Sequence, residues 1–443
     1  MIRSLLLNRF AQIALFAAFS GLVHLALPLS ASADPARMIG FGPRGMAHAG
    51  AMLTVQDPLS AAINNPSMLA MTDGKMQLGA GYSFARPVIK LNDERADLLA
   101  PRGVNAGLAL PFSHKDWDFG IGLSAHIPDR FLSRVHTLPA TQPRAVMWDS
   151  PPHRLVANVG FGVGFKKLIS LGVAASIFGR FEGEYLDIEI DASAGRTRAT
   201  ANFNFDFPTL ITPVVGLTIT PTDWIRISAR YTGQVDYHFN LPIVATVTIP
   251  GTSVSGPLGL QFSGTSTYVP REAVLGAGFD IKKLTLGAEI VFQNWKALTN
   301  AAAGIITDFD EEELGIEVPA TSFIQPAPDY RNTFSARAMA SYDFEVDIYT
   351  ITLRGGYAFV PTPVPVQTGL TNFADSNRHI VGLGGTFAFH WPFLKSDVEF
   401  DLGAQLQRIS RREMEKDNPV FPGGDLSIRG MVYGISAAGR ISF

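Results

Sequence analysis

From about Lys75 to the end of the chain, large apolar residues recur at every second position. Phe119, Ile121, Leu123, Ala125 and Ile127 alternate with Gly120, Gly122, Ser124 and His126, and Val159, Phe161, Val163 and Phe165 with Gly160, Gly162 and Gly164. Further on, Leu284, Leu286, Ala288, Ile290 and Phe292 share one face, as do Ile351, Leu353, Gly355 and Tyr357. A period of two with one apolar face is the signature of β-strands. About fourteen such segments follow one another, near 75–88, 103–112, 117–127, 153–166, 168–190, 201–220, 223–240, 262–280, 283–295, 331–345, 348–360, 378–390, 397–410 and 427–443.

The second face separates a membrane barrel from a soluble sandwich. In a sandwich it would meet water and carry many Lys and Glu; here it is mostly Gly, Ser and Thr. Several segments run past the roughly ten tilted residues that cross a bilayer, and Trp117, Trp224, Trp295, Tyr349 and Trp391 lie near their ends. The expectation is an all-β fold, a transmembrane antiparallel β-barrel of about fourteen strands. Closure pairs every backbone N–H and C=O, which an open sheet in lipid cannot do. Lys166-Lys167, Pro221 to Asp223, Lys282-Lys283 and Pro392 to Ser396 read as periplasmic turns. The stretches 128–152, 191–200, 241–261, 296–330, 361–377 and 411–426 read as extracellular loops.

Composition agrees. Only 17% of residues are charged while 47% are hydrophobic, too apolar for an ordinary soluble surface. No segment after the first 33 residues offers the long apolar run of a membrane helix. Those first residues read as a signal peptide: Arg3 and Arg9, an apolar run from Ile13 to Leu27, and Ala31-Ser32-Ala33 before Asp34. A membrane anchor is the competing reading of the same run. The organisation expected is a signal peptide at 1–33, an N-terminal hatch at 34–74 and the barrel at 75–443. Phe443 closes an alternating strand, Met431 to Ile441, in the manner of an assembly signal for the outer-membrane insertion machinery. Location in a bacterial outer membrane follows.

Little in the chain carries catalytic chemistry. There is no Cys, hence no disulfide and no thiolate site. The nine His residues show no short metal-ligand spacing. Gly40 to Gly45 fits G-x-G-x-x-G, but no strand precedes it and Pro43 interrupts it, so nucleotide binding is rejected. No cofactor or enzyme activity is expected, and a net charge of −3 without a basic block gives no sign of nucleic-acid binding. The acidic run Asp308, Asp310 to Glu313 and Glu317 is a solvated loop or a divalent-cation bridge, to itself or to lipopolysaccharide. Arg180, Arg226, Arg230, Arg354 and Arg378 fall on the small or polar face and should point into the lumen, because lipid penalises a charge by a few kcal/mol.

One segment does not alternate. Gly45 to Leu69 is rich in Ala, Gly and Asn, with turn formers at Asp57-Pro58 and Asn64-Asn65-Pro66. With Asp57 and Asn65-Pro66-Ser67 it resembles the N-terminal plug of the FadL/TodX family of outer-membrane transporters for hydrophobic compounds, with Ser67 in place of that family's Ala. The resemblance extends through Pro221-Thr222-Asp223-Trp224, Arg230-Tyr231 and Val235-Asp236 to Phe239. It continues in Arg354-Gly355-Gly356-Tyr357, Thr362-Pro363-Val364-Pro365 and Asp375-Ser376-Asn377-Arg378.

That resemblance implies a monomeric barrel of fourteen strands with a hatch in its lumen, and passive uptake of fatty acids or hydrocarbons. The ligand would land on an apolar loop surface, move to a tighter pocket and leave sideways at a kinked third strand. Gly120 and Gly122 are the candidates for that kink, Leu132, Leu138, Met147 and Trp148 for the landing loop, and Arg180, Lys296 and Arg331 for the head-group cation. Two other readings remain: a porin-like channel for polar solutes, and a barrel that recruits protein partners.

Overall fold

The computed structural model describes residues 35–130, 143–149, 153–178, 185–191, 196–202, 210–248, 255–298, 304–309, 322–323, 329–368, 372–393, 395–416 and 425–443. Fourteen antiparallel strands form one closed sheet. They are β1 (Gln77–Leu91), β2 (Arg102–His114), β3 (Trp117–Pro128), β4 (Val156–Phe165), β5 (Ile169–Phe178), β6 (Leu210–Thr222) and β7 (Ile225–Thr232). Then follow β8 (Glu272–Ile281), β9 (Leu284–Gln293), β10 (Thr333–Val346), β11 (Tyr349–Val360), β12 (Arg378–Trp391), β13 (Ser396–Met414) and β14 (Leu426–Ser442). Each pairs with its sequence neighbours, and β14 returns to β1, from Gln77 opposite Ser442 to Leu91 opposite Ile428. Every expected strand is present.

The wall is inside out relative to a soluble sheet. Leu123, Val159, Ile227, Leu353, Leu402 and Ile435 are exposed on its outside. Ser124, Asn158, Ser228, Thr352, Asp401 and Ser436, one position away, are buried within. An outer surface of this kind is satisfied by lipid, so the chain is a membrane-spanning barrel. At the end with tight hairpins, rings form a belt: Phe112 stacks on Phe119 at 5.0 Å, Trp117 meets Phe165 at 4.8 Å and Tyr349 meets Phe387 at 5.1 Å. Lys166 and Lys167 both take positive φ, 52° and 55°, the left-handed geometry a two-residue hairpin turn requires.

The long connections at the other end carry more structure than expected. Tyr185–Asp191, Arg196–Asn202, Val235–Thr248, Ser255–Val269, Gly304–Phe309 and Ser322–Phe323 make a second sheet. Three segments read as single strands, 168–190, 223–240 and 262–280, are therefore each divided between the wall and this second sheet: β5 ends at Phe178, β7 ends at Thr232, and β8 begins only at Glu272, after Ser255–Val269. The acidic run falls mostly outside the described residues, with only Asp308 in a described strand.

The N-terminal segment fills the lumen as α1 (Pro35–Ile39), α2 (Gly42–Ala47), α3 (Pro58–Asn64) and a 3-10 turn, Pro66–Ala70. Pro43 and Pro58 start their helices at the first turn, where the missing N–H costs nothing. Each element is too short to be stable alone, so its shape depends on the wall around it. α2 lies against β12 to β14, α3 against β2 to β4, and the 3-10 turn against β3 to β6.

Candidate functional site

The plug is seated by hydrogen bonds and ion pairs to inward side chains of the wall. Asn65, wholly buried, donates from Nδ2 to the Leu53 carbonyl (2.9 Å) and to Thr218 Oγ1 (3.2 Å). Its Oδ1 accepts from the Ser67 amide (3.2 Å) and hydroxyl (2.8 Å), and Ser67 Oγ lies 2.8 Å from Thr218 Oγ1. Both amide groups are thus satisfied, as a buried Asn requires. Ser67 supplies a hydroxyl that Ala in its place would lack.

Asp57 is the hub of a buried charge cluster. It pairs with Arg440 of β14 and lies 3.8 Å from Arg44 of α2, and it accepts a 2.6 Å bond from Ser60. Arg44 also reaches Asp401 (3.1 Å) and Glu399 of β13, while Arg440 reaches Asp401 at 2.5 Å. Burial pushes the Asp57 carboxyl up, but Arg440 and then Arg44 outweigh it and hold it well below its usual range. A second set of contacts anchors the same segment: Glu289 accepts the Leu53 amide (3.0 Å), Arg226 donates to the Thr54 carbonyl (3.0 Å), and Arg230 to the Asn64 carbonyl (2.7 Å).

Gly120 and Gly122 face the plug at close range. β3 pairs with β2 from His114 opposite Trp117 to Gly103 opposite Pro128, and with β4 from Trp117 opposite Phe165 to His126 opposite Val156, in unbroken register. The expected bulge is absent there. A Cβ on Gly120 would sit 1.9 Å from the Leu69 carbonyl oxygen, and one on Gly122 would sit 2.4 Å from Leu69 Cδ2. Glycine is required because the plug approaches the wall at backbone distance.

Above the plug, towards the long loops, lies a cavity of about 40 Å³, less than the 150 Å³ or so that admits benzene. Met38, Met147, Trp295, Val360, Ile380 and Arg378 are among its lining residues. Over it, Trp148 and Trp295 join Tyr330, Phe373 and Val364 in one buried apolar cluster.

The remaining candidates divide. Met147 and Trp148 belong to a short helix, α4 (Val146–Asp149), and both are buried, so they form interior packing and not an exposed landing surface. The neighbouring strand pair, Arg144–Ala145 with Phe373–Ala374, ties α4 to the loop before β12. Lys296 and Arg331 are exposed and do not line the cavity. The ring beside each, Trp295 and Tyr330, turns inward in its place. Arg180, Leu132 and Leu138 lie outside the described residues.

The Thr-Pro-Val-Pro and Asp-Ser-Asn-Arg motifs are joined. Thr362 donates its hydroxyl to Asp375 (2.6 Å) and its amide to the Asn377 side chain (3.0 Å). Arg412 donates to the carbonyls of Val364 (2.8 Å) and Asp375 (3.0 Å). No local pattern marks Arg44, Arg440 or Asp401 as partners in seating the plug. Their partner is a whole barrel away along the chain.

The architecture is thus a membrane barrel occluded by its own N-terminal segment. No family profile and no curated protein matches the chain. Among solved structures it resembles a Pseudomonas aeruginosa FadL homologue, with a TM-score of 0.51 at 16% identity over 94% of this chain and 98% of that one. It also resembles the Pseudomonas putida toluene transporter TodX, TM-score 0.52 at 15% identity over 91% and 98% of the two chains. A third likeness is to the monoaromatic hydrocarbon channel CymD, TM-score 0.51 at 15% identity over 90% and 97%. At these identities the likeness is one of fold: the chain has the FadL/TodX-type plugged barrel.

Proposed function

We propose that this protein is a bacterial outer-membrane channel for the passive uptake of hydrophobic small molecules. The observation that carries the proposal is the pairing of a lumen filled by the N-terminal segment with an apolar cluster above it. A porin-like path for polar solutes needs an open, wetted lumen, whereas here Asp57, Asn65 and Ser67 are buried against the wall. The toluene transporter and the hydrocarbon channel of the same fold favour a hydrophobic cargo.

The plug is a gate in this reading. The cavity above it is small, and entry of a hydrocarbon would have to widen it. Release into the bilayer through the wall avoids exposing the ligand to water, which costs about 0.8 kcal/mol per CH₂. Since β3 is paired on both sides, such release takes a transient parting of strands. Protein purified from outer membranes and extracted with solvent should yield a co-purifying amphiphile or hydrocarbon. A barrel that is always empty, or one that carries a bound protein instead, would count against uptake.

A further inference from the structure

The outer face of the barrel is basic on one side only. Among the described barrel strands, the Lys and Arg side chains that point outward are Arg86 and Lys90 of β1, Arg102 of β2, Arg408 and Arg411 of β13 and Arg429 of β14. All lie towards the long-loop end of four adjacent strands, across the seam where β14 meets β1. The described outer faces of β3 to β12 carry none.

Three of these residues have an acid beside them: Arg102 bonds to Asp129 (2.9 Å), Arg411 to Glu413 (2.8 Å) and Arg429 to Asp93 (2.6 Å). Arg86, Lys90 and Arg408 pair with no acid among the described residues. Lys90 stands directly opposite Arg429 and, on its other side, directly opposite Arg95 of the short strand Glu94–Arg95, which pairs with no acid either. Opposed residues of an antiparallel pair hold their side chains on one face about 5 Å apart, where like charges repel. Asp93 balances one of the three. A bound anion would balance the rest.

The height of the row and its neighbours narrow the kind of anion. From Leu78, exposed at the tight-hairpin end, to Arg86, β1 climbs about 20 Å along the membrane normal, at roughly 3.3 Å per residue and a tilt of about 40°. The apolar band of such a barrel is about 25 Å tall. Arg86 therefore stands near its upper edge, with Lys90 about 10 Å higher. On the same face Phe84 and Val88 flank Arg86, Tyr433 stands opposite it, and Met431 stands opposite both Val88 and Arg408. Charged and apolar side chains are thus interleaved where acyl chains give way to head groups. The guanidinium fork matches phosphate oxygens in pairs, and a cluster of about four basic residues holds an anionic lipid head group.

We propose that Arg86, Lys90, Arg95 and Arg408 form a binding site for the phosphorylated head group of a lipopolysaccharide, whose acyl chains lie on the apolar wall of β13, β14 and β1 beneath. The lipid fastens the seam that closes the barrel. The site is on the outside of the wall and does not depend on what the lumen carries.

Native mass spectrometry and thermal unfolding of the full chain in detergent micelles test it, with a bisphosphorylated lipopolysaccharide, the same glycolipid stripped of its phosphates, and phosphatidylglycerol as probes. The proteins are wild type, a four-site variant (Arg86→Gln, Lys90→Gln, Arg95→Gln and Arg408→Gln), a charge-keeping variant (Arg86→Lys and Arg408→Lys), and a control at the opposite rim (Lys115→Asn, Lys167→Asn and Lys282→Asn, since Asn tolerates the positive φ found there). Each is checked for the folded barrel by heat-dependent gel mobility. Wild type should bind the phosphorylated glycolipid about tenfold or more tighter than either other probe, less so at high salt, and should unfold at a higher temperature with it. The four-site variant should lose the preference, while the charge-keeping variant and the control keep it. Equal binding of the two glycolipids by wild type, a preference that survives in the four-site variant, an equal loss in the control, or tighter binding of phosphatidylglycerol overturns the proposal. Should the four-site variant not fold, the comparison of the three probes on wild type still decides. None of these outcomes bears on uptake.

Discussion

Asp57 of the plug and Arg440 of the last strand form a buried ion pair across 383 positions of sequence. The contact ties the segment that closes the lumen to the strand that closes the barrel. Asp401 and Arg44 extend the pair, so that three chain segments share one charge cluster.

Asp57→Asn should loosen the plug without unfolding the wall. Removing one partner of a buried pair costs about 3 to 5 kcal/mol, and the lower end is expected because Arg440 keeps Asp401. Single-channel recording should show raised ion conductance. The double variant Asp57→Asn/Arg440→Gln should leak less than the sum of its parts, since the two residues share one interaction. Strict additivity would show that they act separately.

Gly120→Val tests the close approach of plug and wall. Its Cβ would meet the Leu69 carbonyl oxygen at 1.9 Å, and backbone cannot yield as a side chain can. The plug should be displaced, with more leakage to small sugars. Gly355→Ala, where the nearest atom lies 3.7 Å from the added carbon, should behave as wild type.

Acid should release the plug through His48. Its ring lies 2.8 Å from Ser341 and 3.3 Å from the Met52 sulfur, and burial, then Arg354 and Arg44, push its pKa from 6.5 down to about 3. Protons therefore bind the released plug better than the seated one. The stabilisation is full above 6.5 and falls away as pH drops towards about 3. Asp57 stays ionised through this window, because its carboxyl is held below its ordinary value. Conductance should rise as pH falls through that range, and His48→Gln should flatten the rise.

A disulfide across β3 and β4 tests release through the wall. Leu123 and Val159 are directly opposed and both face outward, and the chain has no other Cys to interfere. If the seam between these strands must part, oxidising Leu123→Cys/Val159→Cys should stop hydrophobic flux and reduction should restore it. Flux indifferent to oxidation would move the exit elsewhere.

The alternation made the barrel legible because each strand is read on its own, two residues at a time. It also put Gly120 and Gly122 on the inner face, but a small inner residue serves a bulge or a close neighbour equally well, and local sequence does not distinguish them. Trp148 and Lys296 lie outside any regular period, so neither inward nor outward orientation could be read, and the structure reversed the sense of both. The plug was visible as a break in the pattern, whereas its bond to Arg440 depends on closure of the whole sheet.

The most direct measurement is a paired one, hydrophobic flux and ion conductance on the same proteoliposomes, with the full chain and with Gly45 to Met71 deleted. The account predicts saturable flux of a labelled long-chain carboxylate with little conductance in the full chain, and large conductance once the plug is gone. High conductance with no such flux in the full chain, or conductance unchanged by the deletion, would contradict it.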